Sequence, residues 1–327
     1  MIITRTPYRV SFFGGGTDLP KWYEQHGGAV LTSTINKYCY VLARPMPAFL
    51  GTKYRVFWSK METVDRVEDI EHPAVRAALQ YVGYDGPFEV NHAGDLPARS
   101  GLGSSSAFSV GMLHALYALK GYPVILSKSA LAASAVDLEQ RHMRENVGIQ
   151  DQIECAHGGL NRIDIERSGH WTVSPVEVSP ERMDALEARL MLFYTGLQRS
   201  ASAIQASTLS AMQQNERSLH GIRRLVDESV EILCTSRQLD EFGELLHEGW
   251  ALKQRLSPYI CTPEIYDLYE AARHAGALGG KLLGAGGGGF LLLYADPERQ
   301  ASVRAALPGL LEVPFKFENE GTRLILS

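Results

Sequence analysis

The stretch Asp95-Leu-Pro-Ala-Arg-Ser-Gly101-Leu-Gly103-Ser104-Ser105-Ser106-Ala107 constrains the fold of this 327-residue chain more than any other. Before it, Phe88, Val90 and His92 alternate as in a half-buried strand. After it, Phe108, Met112, Leu116 and Leu119 recur at helical spacing. A strand therefore feeds a helix through glycines, and the first turn of that helix carries three consecutive hydroxyls. The leading N–H groups of a helix lack intrahelical acceptors and sit at the positive end of its dipole. Glycine lets backbone approach a ligand closely and take positive φ. The loop reads as a cradle for a polyphosphate. Serine caps and turn glycines would write the same string, so corroboration has to come from elsewhere in the chain. No P-loop string with a lysine after its last glycine occurs, and the protein-kinase signatures are absent.

Composition narrows the partners. The chain has room for one large or two medium domains. A net charge of −5 with no basic block argues against nucleic acid. The longest compact apolar run near the end, Phe290 to Tyr294, is strand-sized and too short for a membrane span. Cys39, Cys155, Cys234 and Cys261 are scattered, with no Cys-x-x-Cys pair, which suits free thiols in a reducing compartment. The first residues lack the apolar core of a signal peptide, so a cytoplasmic location is expected. Small molecules are the expected partners, and the oligomeric state is left open.

Residues 1–13 read as a strand broken by Gly14-Gly15-Gly16-Thr17-Asp18. Three ordered glycines in a row suggest close approach of something to the backbone. Arg9 and Asp18 flank them and would offer a cation and a carboxylate to a polyhydroxylated ligand; a hairpin turn with a surface ion pair is the plainer reading. Residues 29–44 suit one or two strands, 53–59 another, and Pro73 to Tyr81 a helix with proline in its first turn. A helix over 127–146 carries Glu139, and a glycine break precedes Gln150-Asp151-Gln152. One acid on a helix and a second at the start of a new element can converge from different directions. That suits one metal ligand and one proton acceptor, although most acids are simply solvated.

A hairpin is expected over 160–178, a short helix and domain boundary over 182–187, and an apolar strand over 189–194 leading to Thr195-Gly-Leu-Gln-Arg199. Helices fill 202–277. Then Gly279-Gly280-Lys281-Leu-Leu-Gly284-Ala-Gly286-Gly287-Gly288-Gly289-Phe290 ends in an apolar strand. Each glycine costs roughly 0.5–1 kcal/mol relative to alanine in ordered structure. Such density calls for a steric reason, and packing against another loop would provide one.

The segments Pro7 to Asp18, Pro97 to Ala107 and Lys281 to Phe290, in that order, resemble the three motifs of the galactokinase, homoserine kinase, mevalonate kinase and phosphomevalonate kinase (GHMP) superfamily. The resemblance spans nearly the whole chain. Gly-Gly-Gly-Thr-Asp and Gln-Asp-Gln look most like D-glycero-D-manno-heptose 7-phosphate kinases. It implies an α+β, two-domain GHMP kinase fold. The N-terminal domain (1–187) would hold a left-handed β-α-β element, the C-terminal domain (188–327) would be ferredoxin-like α+β, and the site would lie between them.

The resemblance also implies roles. Pro97, Gly101, Leu102, Gly103, Ser104, Ser105 and Ser106 would bind ATP, with Ser105 and Glu139 as Mg2+ ligands. Asp151 would be the base, with Arg9 beside it. Gly15, Gly16, Thr17 and Asp18 would meet the sugar, and Gly286 and Gly287 would support the loop or touch substrate. By position, Arg199 and Lys281 are candidates for the substrate's phosphate. The second motif has Ser-Ser-Ser-Ala where the family more often has Ser-Ser-Ala-Ala, so the serine that meets the metal is uncertain by one place. The implied activity is ATP-dependent phosphorylation of the anomeric hydroxyl of heptose 7-phosphate. The alternatives are a fucose-, galactose- or mevalonate-type kinase, a decarboxylase of the same fold, and a non-catalytic ligand-sensing relative.

Overall fold

The structure, a computed structural model, describes residues 1–98, 100–121, 127–197 and 201–326. Two sheets organise it. The first contains β1 (Ile2–Phe13), β2 (Gly28–Pro45), β3 (Tyr54–Phe57), β4 (Met61–Val64), β5 (Phe88–Gly94), β6 (Leu160–Ile165), β7 (Trp171–Pro175) and β12 (Arg323–Leu326). The second contains β8 (Leu190–Tyr194), β9 (Ala277–Leu282), β10 (Phe290–Ala295) and β11 (Leu311–Glu312) in the order β11-β8-β10-β9.

Residues 28–45 form one long strand, because their β-branched and aromatic run is uninterrupted by glycine or proline until Pro45. Its first half pairs with β6 and its second half with β5, while β1 runs along the other edge. Beyond β1 lies β12, so the closing strand belongs to the N-terminal sheet. Apart from that last strand, the first sheet ends in sequence at Pro175 and the second begins at Leu190.

The helices are α1 (Pro20–His26), α2 (Pro73–Val82), α3 (Ser104–Leu119), α4 (Lys128–Asp137), α5 (Gln150–His157), α6 (Pro180–Glu187), α7 (Ala201–Ser210), α8 (Glu216–Cys234), α9 (Asp240–Gln254), α10 (Pro263–His274) and α11 (Gln300–Ala306). The apolar side chains of α3 pack on β1 and β2, burying Ala107, Val110, Met112, Leu113 and Leu116. The helix expected over 127–146 is shorter: α4 stops at Asp137 and a π-helical turn, Leu138–His142, follows. Such turns are often found at functional sites, and this one carries Glu139.

β9 was not foreseen as a strand, because Gly279 and Gly280 interrupt its pattern. A Cβ on Gly279 would lie 1.8 Å from the Gly243 carbonyl oxygen, so glycine there lets α9 lie directly on the strand. No helix among the described residues is long and apolar enough to cross a membrane.

Candidate active site

The centre of the site is an ion pair between β1 and α5. Arg9, opposite Thr34 on β2, is 3% exposed. Its Nε and Nη2 donate to the two oxygens of Asp151 at 2.8 and 2.7 Å, a bidentate pairing that fixes both side chains. Its Nη1 donates to the Gly101 carbonyl at 2.7 Å, and its backbone N–H to Leu102 O at 3.0 Å. The glycine-serine loop is thus clipped to the strand that carries the cation. A side chain at Gly103 would begin 3.4 Å from Asp151 Oδ2, so the carboxylate lies directly beneath the loop.

Gly103 is the N-cap of α3, with φ 75°, and no side chain caps the helix. The first N–H groups of a helix have no intrahelical acceptor and suit an anion, as the sequence of this loop suggests. Pro97 is exposed on the approach, whereas Leu102 is core.

The three residues that open α5 each reach a different partner. Gln150 accepts from Ser11 Oγ at 2.8 Å, Asp151 pairs with Arg9, and Gln152 donates to Glu139 Oε2. Glu139 is fully buried, and its Oε2 also accepts from Ser106 Oγ at 3.0 Å. Its Oε1 makes no hydrogen bond of good geometry, although Ser109, one turn along α3 from Ser106, is close enough to favour the charged carboxylate. A buried carboxylate oxygen left over, beside a serine at an anion-binding helix tip, fits a divalent cation. Burial pushes this carboxyl up to about 7, against hydrogen bonds that favour its charged form.

The serine expected beside Glu139 was Ser105; the structure puts Ser106 there and leaves Ser105 exposed. One step around a helix is about 100°, so adjacent hydroxyls cannot share a direction. Glu139 and Asp151 do converge, from two sides of the same helix tip.

The first glycine turn faces inward more than expected. Thr17 is fully buried, and its hydroxyl donates to Gly14 O at 2.8 Å and Ala29 O at 2.9 Å, so it fastens the turn and is not presented to a sugar. Gly16 packs on Leu219. Asp18 is 3% exposed and accepts from Gly16 N at 2.9 Å, with Gln150 N more distant at 3.4 Å. It lies at the N-terminus of α5, where the helix dipole suits a carboxylate. Burial and the charge of Asp151 raise its pKa. Gly15 alone of the three glycines has room for a Cβ, which would make ordinary contacts with Ser11 Oγ at 3.7 Å and Gln150 Nε2 at 3.8 Å.

The third glycine run, between β9 and β10, is shaped by the loop it touches. A Cβ on Gly101 would meet Leu283 O at 2.5 Å, and one on Gly284 would meet Gly101 Cα at 2.5 Å. Gly289 faces Ser100 and Gly288 faces Leu197 equally closely. Gly286 and Gly287, expected near substrate, are committed to Ile260 instead: Gly287 N donates to its carbonyl at 2.9 Å.

Lys281 is 7% exposed and donates to Phe12 O at 2.8 Å, joining β9 to β1. Arg199 lies outside the described residues. Lys253 on α9 was missed. Its ammonium donates to Leu282 O at 2.9 Å and Gly284 O at 2.5 Å, and burial followed by the charge of Arg9 pulls its pKa down to about 7. A lone lysine whose partners lie some thirty residues onward left no signal in the sequence.

Fold and site together define a phosphotransferase of the small-molecule kinase type. The family model "GHMP kinases N terminal domain" matches residues 69–159, and "GHMP kinases C terminal" matches residues 222–312. Between them they cover more than half of the sequence, and the chain belongs to the GHMP kinases, which use ATP.

Among relatives, D-glycero-alpha-D-manno-heptose 7-phosphate kinase of Campylobacter jejuni is 26% identical, with 98% of each chain covered. Mevalonate kinase of Pyrococcus horikoshii is 28% identical over 77% of this chain and 72% of its own. Bifunctional fucokinase/GDP-fucose pyrophosphorylase of Arabidopsis thaliana is 28% identical over 96% of this chain, which spans only 32% of that protein. Among solved structures, a D-glycero-D-manno-heptose 1-phosphate kinase from Bacteriodes thetaiotaomicron superposes with a TM-score of 0.81 at 22% identity, covering 100% of this chain and 99% of that one. Lactococcus lactis galactokinase in complex with galactose gives 0.74 at 21%, covering 98% and 94%. At these identities the structural likeness speaks for the fold.

Proposed function

We propose that this protein transfers the γ-phosphoryl group of ATP to the anomeric hydroxyl of D-glycero-D-manno-heptose 7-phosphate, giving the 1,7-bisphosphate. The observation that carries the phosphoryl-transfer reading is the Arg9–Asp151 pair held beneath Gly103, at the uncapped tip of α3. The heptose acceptor is supported by the Campylobacter relative, which matches end to end in both chains, whereas the mevalonate enzyme matches 77% of this chain and the fucose enzyme, which matches 96% of it, is a longer protein of which this chain spans 32%.

Such catalysis is mostly positioning and charge neutralisation. The N–H groups and serine hydroxyls at the start of α3 hold the terminal phosphates. Asp151 accepts the proton of the attacking hydroxyl as its oxygen bonds to the γ-phosphorus and the bond to the departing ADP oxygen breaks. Arg9 holds that carboxylate in place through two hydrogen bonds. Gly15 and Asp18 line the acceptor side, with Lys281 behind them. Glu139, with Ser106 or its neighbour Ser105, would hold Mg2+, which when bound supplies positive charge to the phosphate oxygens.

Release of ADP measured across heptose 7-phosphate, galactose, fucose and mevalonate tests the acceptor. The heptose phosphate is expected to give the highest kcat/KM; a higher value for another acceptor reassigns the substrate, and no turnover on any of them removes the kinase reading. Glu139 must also lose its proton to bind a divalent cation. With its carboxyl at about 7, apparent Mg2+ affinity is expected to weaken as pH falls below that value, by about tenfold per unit. Mg2+ titrations at several pH values check this, and Glu139→Gln is expected to remove the dependence. An unchanged profile in that variant would take Glu139 out of the metal site.

A further inference from the structure

Away from the Arg9–Asp151 pair, three side chains from both halves of the molecule meet at one point. His26 ends α1, the helix that follows the first glycine turn. Glu216 and His220 stand one turn apart at the start of α8, and so share a face. Glu216 Oε1 lies 3.8 Å from His26 Nε2 and 3.5 Å from His220 Nε2. One donor atom from each residue lies within 4.8 Å of the other two, the only such group of three among the described residues. The imidazole rings are nearly perpendicular, at 87°, with centroids 5.2 Å apart. Trp22 stacks on His26 at 4.1 Å and meets His220 edge-on at 5.0 Å. A cavity of about 250 Å³ opens alongside, lined by Trp22, Gln25, His26, Met212, Gln213 and Glu216 among others.

We propose that His26, Glu216 and His220 bind one divalent transition-metal ion of the zinc type across the junction of the two domains. Two imidazoles and a carboxylate, open to solvent for a fourth ligand, suit Zn2+ or Co2+ and not Mg2+, which prefers an all-oxygen octahedron. Ligands about 2.0–2.1 Å from a tetrahedral zinc lie about 3.3 Å from one another. Small side-chain rotations close the present gaps. Trp22, 2% exposed, backs His26 and limits the directions its ring can take. The ion would fasten α1 to α8 next to Leu219, the residue that Gly16 touches, and so would steady the glycine turn from behind. The site shares no residue with the proposed phosphoryl-transfer machinery and stands whichever acceptor is used.

The test uses the untagged full chain, stripped of metal and then kept in excess Mg2+ so that sites for a hard ion are filled. Co2+ is added while its visible absorption and the fluorescence of the protein are followed, and Zn2+ is then added as a competitor. About one ion per chain is expected, with visible bands typical of a tetrahedral nitrogen–oxygen site, loss of Trp22 fluorescence, and a melting temperature that rises with Zn2+ concentration. His220→Gln and Glu216→Gln are each expected to weaken binding by tenfold or more while melting like the parent in chelator, since both side chains are about half exposed. Failure to bind, or binding that is unchanged in both variants, overturns the proposal.

Discussion

Replacing Asp151 by asparagine is expected to lower kcat by about 10²–10⁴-fold and to change the KM for ATP little. Asparagine keeps the shape and loses the basic oxygen, so the attacking hydroxyl has nowhere to send its proton. The substitution has a structural effect as well. Arg9 is almost fully buried, and its guanidinium donates to Asp151 and to the Gly101 carbonyl. Removing the anion leaves the guanidinium only neutral acceptors, the asparagine Oδ1 and the Gly101 carbonyl, and breaking a buried ion pair in this way costs about 3 kcal/mol. A lower melting temperature should therefore accompany the loss of rate. The two effects separate in Asp151→Glu, which restores the charge one methylene too far out. Its melting temperature should recover while kcat stays low, because proton transfer tolerates little displacement. Single-turnover kinetics and thermal melts on the two variants give the answer; a kcat within a fewfold of the parent in Asp151→Asn would remove the base from the mechanism.

Gly101→Ala should be damaging out of proportion to the one methyl it adds. Gly101 has φ 85°, and an added Cβ would lie 2.5 Å from Leu283 O and 2.8 Å from Leu283 C. Left-handed backbone costs an alanine about 1–2 kcal/mol, and overpacking against atoms that cannot rotate away costs about 1–3 more. Because the obstacle is the opposite glycine turn, relief comes only by parting the two loops, and the Gly101 carbonyl is also what Arg9 Nη1 holds. A melting temperature several degrees lower and a weaker apparent affinity for ATP are both expected. Gly51→Ala is the control. Gly51 has φ 71° and nothing within 4 Å of an added Cβ, so it bears the backbone cost alone. Equal melting temperatures for the two variants would show that the loop-on-loop contact is not tight.

Much of this arrangement is written in local sequence. The alternation of β5, the helical spacing of α3 and the glycines between them set the loop and its direction, because strand, turn and helix each depend on near neighbours. The tight third glycine run declared that something pressed on it, and Ser100 and Gly101 do so. What escaped depends on rotation and on distance along the chain. Whether Ser105 or Ser106 meets Glu139 is decided by a fraction of a helical turn, which boundaries read from sequence do not resolve. Thr17 reads as a ligand contact or as a turn fastener with equal ease until Ala29 is seen beside it. Gly148 looks like a plain break, yet a Cβ there would lie 1.8 Å from Asp18 Oδ2; it is glycine so that a carboxylate can reach the tip of α5. Lys253 and β9 became visible only once α9 lay against the second sheet.

The pairing of β12 with β1 has a bearing on how the enzyme is made. Arg9 sits on a strand completed at one edge by residues 323–326, which leave the ribosome after everything else described here. Throughout synthesis of the intervening chain, that edge offers unpaired amide and carbonyl groups to any passing strand. A nascent chain can gather its first two glycine loops early, but the edge of β1 at Ile3, Thr4 and Arg5 is covered only once 323–326 have emerged. A cell under translational stress would therefore accumulate stalled chains with one edge of β1 unpaired.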